Sequence, residues 1–358
     1  MSNNIIEIFK TITAIPRCSG THKPFINYMQ EISKEFGYLC LVDEANNILC
    51  KKENSTVKLA FQSHYDIVCL SDNCVPKIIQ NGDILSAEDS TLGSDNGIGC
   101  SYMIALISEG YDGEFLFTSD EEIGLIGANN LALPLNASYM LNLDSEEEGE
   151  ICIGCAGGVD IFGTNSNKKI IPNTDNLDLY EITIGKLQGG HSGVDIDKNI
   201  PNGIKLIVKT IKECKGKLLD INGGERINSI PVNVKAIIAT NKTPQASHEN
   251  MIINKIDTKS EHLNIYDDKI IDFIYNFQNG VRTKNQELSV VQTSINLAII
   301  KTGIDEIKIE LSGRSMDNED LKNLKDETIE MLKNYNFEVT TNGKYPAWKP
   351  DINEFTSK

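Results

Sequence analysis

Val57-Lys58-Leu59-Ala60-Phe61-Gln62-Ser63-His64-Tyr65-Asp66 is an apolar run that empties into a histidine and, two residues on, an aspartate. In an extended chain residues i and i+2 face the same way, so His64 and Asp66 point together where the strand leaves its sheet. The pair suits a metal-ligating imidazole whose second ring nitrogen is fixed by a carboxylate. A polar pair at a turn has the same composition, so repetition must decide. The ending does recur: Glu114-Phe115-Leu116-Phe117-Thr118 runs into Ser119-Asp120-Glu121-Glu122, and Ser138 to Leu143 ends on Asp144. Between them, the glycine-rich turn Leu92-Gly93-Ser94-Asp95-Asn96-Gly97-Ile98-Gly99 carries Asp95 into a helix-like segment, Cys100 to Ser108. Open α/β sheets collect ligand groups beyond the carboxyl ends of their strands, so these four polar endings are expected to form one site.

Outward from that core, Ile5, Ile6, Phe9 and Ile12 recur at helical spacing before Pro16, and a second helix spans about 24 to 36. Short strands at 39–42 and 48–51 flank the turn Asn46-Asn47. Alternating strands and helices up to Asp144 predict an α/β fold with a mixed, largely parallel central sheet. Beyond it, the strand Leu177 to Ile184, a helix bearing Ile204, Ile207, Val208 and Ile211, strands at 232–240 and 290–300, and helices near 270–277 and 318–334 predict an inserted α+β lid. The expected division is a catalytic domain over 1–162, a lid over 163–344, and the start of a returning catalytic segment over 345–358.

The chain has 358 residues, enough for two domains. Its 34 basic against 51 acidic residues give a charge of −17, which argues against nucleic acid or an anionic membrane as partner. No apolar run approaches the ~18 residues of a membrane-spanning helix. Nine cysteines follow no regular framework, and Met1-Ser2-Asn3-Asn4 opens without a basic-then-apolar leader, so a reducing cytoplasm is the expected setting. Cys152 and Cys155 form a C-x-x-C in a strand-like stretch and are expected to be buried thiols. His22, His248 and His262 lie in polar surroundings and read as surface histidines; Glu146, Glu147 and Glu148 read as a solvated loop.

One histidine with several carboxylates and no cysteine favours zinc, manganese or cobalt. A short carboxylate on a rigid turn can bridge two metals, which makes Asp95 the candidate bridge. Adjacent side chains in an extended segment diverge, so Glu121-Glu122 divides its labour between binding metal and moving protons. His191 stands between Gly190 and Ser192-Gly193, where close backbone access or a tight turn both account for the glycines.

The chain resembles the aminoacyl-histidine dipeptidases (Xaa-His or cytosolic non-specific dipeptidases), within the co-catalytic zinc aminoacylases and carboxypeptidases. Besides the stretches around His64, Asp95, Glu121 and Asp144, the resemblance rests on Gly154-Cys155-Ala156-Gly157-Gly158, Gly189-Gly190-His191-Ser192-Gly193, Asn228-Ser229-Ile230-Pro231 and Tyr345-Pro346-Ala347-Trp348. It implies two zinc ions held by His64, Asp95, Glu122 and Asp144 with Asp95 bridging, Glu121 as the base and Asp66 as the partner of His64. It also implies that His191 polarises the scissile carbonyl, that Asn228 and Arg314 bind substrate, that the substrate is a free dipeptide, and that a homodimer forms through the lid.

Relatives continue past the Tyr-Pro-x-Trp segment to a late histidine of the second zinc site, whereas here no histidine follows His262 and the sequence ends at Lys358. The expectation is a weakened second site and an exposed sheet edge. Two other readings stay open: a catalytically impaired remnant that only binds, and an N-acyl amino acid amidohydrolase of the same group.

Overall fold

The computed structural model describes residues 2–70, 75–145, 149–172, 176–257 and 262–356. The triplet Glu146, Glu147 and Glu148 lies outside them. The chain forms two compact units, Met1–Ile151 and Cys152–Lys358.

The first unit runs α1 (Ser2–Thr13), α2 (Lys23–Phe36), β1 (Leu39–Val42), β2 (Ile48–Lys51), β3 (Leu59–His64), β4 (Ile78–Asn81), β5 (Ile84–Ala87), α3 (Ser94–Ser108), β6 (Glu114–Thr118), α4 (Ile126–Asn129) and β7 (Tyr139–Asn142). Its sheet has the order β1-β2-β6-β3-β7, with β4 and β5 in a separate hairpin. Strand β3 is parallel to β6 and to β7, while β1, β2 and β6 pair antiparallel. The sheet is therefore mixed, because the turn at Asn46-Asn47 folds β2 back on β1 while the β3, β6 and β7 connections cross over. The parallel trio is what puts three carboxyl ends at one rim. Behind it Ile12, Phe25, Met29, Phe61, Met103, Ile107, Phe115 and Phe117 form one core. Strand β7 is an edge whose four residues are all exposed.

Cys18 and Cys69 are joined by a disulfide, a pairing that cysteine spacing does not reveal. It ties the segment after α1 to the segment after β3, 51 residues away. Reduction by a dithiol is expected to lower the unfolding free energy of this unit by up to about 4 kcal/mol, from the chain entropy of so long a loop. The urea midpoint checks this; an identical midpoint with and without reductant would mean that the bond does not form in solution.

The second unit runs β8 (Gly157–Asn165), β9 (Lys168–Pro172), β10 (Asp178–Ile184), α5 (Gly203–Glu213), β11 (Lys217–Gly223), β12 (Val234–Thr240), β13 (Met251–Ile256), β14 (His262–Tyr266), α6 (Asp268–Asn276), β15 (Gly280–Asn285), β16 (Val290–Thr302), β17 (Ile307–Ser315), α7 (Asn318–Asn334) and β18 (Glu338–Tyr345). Its main sheet is antiparallel in the order β13-β10-β12-β11-β16-β17-β8-β18, with β15 also on β16. Helices α5, α6 and α7 bury Ile207, Ile211, Ile270, Phe273 and Leu324 in its core. The units divide at Ile151/Cys152 rather than at 162 because β8, which crosses that position, pairs with β17 and β18. The segment after 345 also stays with this unit, where Cys155 and Trp348 exchange two backbone hydrogen bonds of 2.8 Å.

The C-x-x-C expectation is corrected: Cys152 and Cys155 are both exposed. They precede β8 rather than lie in it. Ile151, which made the stretch look like a strand, is itself 87% exposed.

Candidate metal centre

Strand β3 delivers His64, 1% exposed, to the rim of the first sheet. Its Nε2 lies 3.0 Å from Asp95 Oδ1 and 3.8 Å from Asp144 Oδ2. Its Nδ1 lies 3.1 Å from the backbone oxygen of Asp66 and 3.4 Å from Asp66 Oδ1. One ring nitrogen is thus fixed from behind and the other faces carboxylates, the arrangement a ligand histidine needs. Burial alone would depress the imidazole; the Asp66 hydrogen bond and the charges of Asp144, Asp66 and Glu121 outweigh it and raise His64 to about 9.

Asp66 is fully buried and saturated with donors: Glu121 N at 3.0 Å on Oδ1, and Ser19 Oγ at 2.8 Å and Glu122 N at 3.3 Å on Oδ2. Burial would raise its pKa, but the hydrogen bonds from His64, Glu121 N and Ser19 hold it below the usual carboxylate range. One carboxylate therefore orients the histidine and pins the turn that carries both glutamates.

Asp95 reaches the rim by a break in the helix: Asp95 and Asn96 have non-helical backbone angles within α3. Asn96 Oδ1 then accepts the amide of Gly99 at 3.0 Å. A Cβ on Gly99 would sit 2.2 Å from that oxygen and 2.6 Å from Ser63 Oγ, so glycine is required there. Asp144, just past β7, retains 33% side-chain exposure.

Two triads emerge among the described residues, His64/Asp95/Asp144 and His64/Glu121/Glu122, each with its ligand atoms within 4.8 Å of one another. One imidazole nitrogen with carboxylate oxygens and no thiolate fits zinc, manganese or cobalt. The residue common to both triads is His64. Burial, then the charge of Asp95, lifts Glu122 to about 7, and burial also raises Glu121.

Metal affinity follows from these shifts. His64 ligates only when neutral, so uptake below pH 9 displaces its proton. Apparent affinity is expected to rise about tenfold per unit from roughly pH 7 to 9, and to fall more steeply below, where Glu122 also protonates. Competition against a chromophoric chelator at several pH values checks the slope; a flat profile contradicts it. In the metal-free chain the raised His64 pKa stabilises the fold below the ordinary histidine value, a contribution lost as pH rises through about 9.

The second unit gathers the other candidates. His191 Nδ1 accepts from Gly193 N at 3.2 Å and Val194 N at 3.3 Å, which leaves the ring proton on Nε2. Burial, then the nearby Arg314 cation, lowers its pKa and favours that neutral form. Arg314, on β17, donates from Nη1 to Tyr345 Oη at 2.7 Å, and its Nε is buried without a partner. A Cβ on Gly193 would lie 3.2 Å from both Arg314 Nε and His191 Cε1, so a side chain there would wedge between the two. Asn228 stands beside them, its carbonyl accepting from Ser192 N at 2.8 Å.

Three expectations for histidine are resolved differently. His262 is exposed and His248 half-buried. His22 is not a surface residue: its Nε2 lies 3.2 Å from Asp120 Oδ2 and its side chain is 15% exposed. Ser19, which grips Asp66, was also missed; both sit in an irregular segment whose partners are distant in sequence.

No protein-family model matches the chain. It is 29% identical over 399 aligned residues to the cytosol non-specific dipeptidase of Escherichia coli, spanning 97% of this chain and 81% of that protein. Among solved structures, an aminoacylhistidine dipeptidase from Vibrio alginolyticus superposes with a TM-score of 0.82 at 24% identity, covering 99% of this chain and 81% of the other. A tripeptidase from Staphylococcus aureus shares the fold more loosely, with a TM-score of 0.54 at 18% identity over 99% of this chain and 79% of its own. No helix among the described residues is long and apolar enough to cross a membrane. In sequence along nearly its whole length, and in fold, the chain is similar to the aminoacyl-histidine dipeptidases.

Proposed function

We propose that the chain hydrolyses free dipeptides, Xaa-His among them, at a dinuclear zinc centre. The observation that carries this is the meeting of His64, Asp95, Asp144 and the Glu121-Glu122 pair at one rim of one sheet. His64, Asp95 and Asp144 would hold one ion, and Asp95 together with Glu122 would hold the second. Zinc, when bound, polarises a carbonyl and acidifies water. Glu121 takes the proton of the attacking water and returns it to the leaving amine, a task suited to a carboxyl whose burial raises its pKa. Asp66 fixes the tautomer of His64.

Substrate recognition is assigned to the second unit, acting as the lid, with a homodimer formed through it. His191 donates a hydrogen bond from Nε2 to the scissile carbonyl oxygen and so polarises it. Arg314, oriented by Tyr345 and with Nε unpaired, takes the substrate carboxylate in a charge-assisted contact. Asn228 completes the polar lining. Cytoplasmic residence follows the naming of the Escherichia coli relative.

The test is release of free amino acids from Xaa-His and other dipeptides, lost on chelation and restored by zinc. The reading requires that N-acetyl amino acids be poor substrates, because the amine is recognised. Turnover of acylated amino acids alone would shift the assignment to an amidohydrolase, and no turnover by a folded, zinc-loaded chain would refute it.

A further inference from the structure

His22 occupies the N-cap of α2 yet makes no capping hydrogen bond. That position ordinarily carries serine, threonine, aspartate or asparagine, whose side chain satisfies a free helix amide. A residue that breaks a local rule without local gain points to a role elsewhere. The ring is turned inward. Its Nδ1 is 3.0 Å from Tyr65 Oη, whose hydroxyl also reaches Asn46 O at 3.1 Å, and its Nε2 is 3.2 Å from Asp120 Oδ2. Tyr65 is fully buried and stacks on Phe25 at 4.7 Å between ring centroids, so it gives the imidazole a rigid backing.

Asp120 is the residue on which β6 turns into Glu121 and Glu122. Its backbone is left-handed, with φ of 49°, a conformation non-glycine residues hold only when their surroundings enforce it. Its carboxylate is gripped from both sides, by Gly20 N at 2.7 Å on Oδ1 and by His22 on Oδ2. The next two amides are accepted by Asp66. The turn carrying both glutamates is therefore held at two points, the Asp66 carboxylate and the Asp120 side chain, and His22, at the N-cap of α2, supplies a side-chain contact to the second.

We propose that His22 is a positioning residue for Glu121 and Glu122, acting through Asp120. This rests on the reading above, in which Glu121 moves the proton and Glu122 holds metal. His22→Phe keeps an aromatic ring against Tyr65 and removes the grip on Asp120. It is expected to lower kcat about tenfold with KM within about twofold, while His22→Gln, which retains a donor, recovers most of the loss. In the double variant with Asp120→Ala the two losses are not multiplicative, because they break one connection. Amide hydrogen exchange at Glu121 and Glu122 is expected to speed up about tenfold in His22→Phe while α3 stays protected. Unchanged kcat and exchange, or fully multiplicative losses, would overturn the proposal. A wild-type chain without dipeptidase activity would defeat the functional reading instead, and the exchange comparison would still decide whether His22 holds the turn.

Discussion

Glu121→Gln is expected to lower kcat for dipeptide hydrolysis by about 10³–10⁴-fold, with zinc uptake and melting temperature close to wild type. The amide is isosteric with the carboxyl but cannot accept and return a proton. The backbone contact that seats the residue, Glu121 N to Asp66 Oδ1 at 3.0 Å, does not involve the altered group. The turn should therefore keep its shape, and the loss should fall on kcat rather than on KM. Equal turnover in the variant would remove Glu121 from the chemistry.

His64→Ala should act on two levels at once. In the proposed assignment the imidazole is the nitrogen donor of the ion it shares with Asp95 and Asp144, so its removal leaves that ion two carboxylates, and zinc retention at equimolar metal should be lost along with at least about 10³-fold of activity. It also leaves Asp66 buried with one fewer donor and removes the imidazole beside Asp95 and Asp144. Deleting one partner of a buried charged pair costs about 3 kcal/mol, so the metal-free variant should unfold at lower urea than the metal-free wild type. A variant that still binds two zinc ions would contradict the assignment.

Much of the first unit was legible because its strands end abruptly in polar residues. Strand β6 lies at 114–118 as read because it is a short apolar run bounded by polar residues, and α7 lies at 318–334 because its helical period is uninterrupted. The break in α3 was not legible: Asp95 leaves the helical path for reasons set by Asn96, Ser63 and Gly99 packing across elements. The β4–β5 hairpin and several strands of the second sheet were missed because their alternation is short and their partners are distant. His22 was misread for the same reason, since its contact with Tyr65 spans 43 residues and leaves no local pattern. The exposed C-x-x-C shows the opposite error, in which local apolar character suggested a strand over residues that lie before β8, which begins only at Gly157.

Anomalous diffraction at the zinc edge, from crystals of the zinc-loaded chain, tests the central claim most directly. The account predicts a peak about 2.0–2.2 Å from His64 Nε2 and from carboxylate oxygens of Asp95 and Asp144, with a second on the Glu122 side of Asp95. A zinc-loaded crystal whose peaks all lie away from these residues would contradict it.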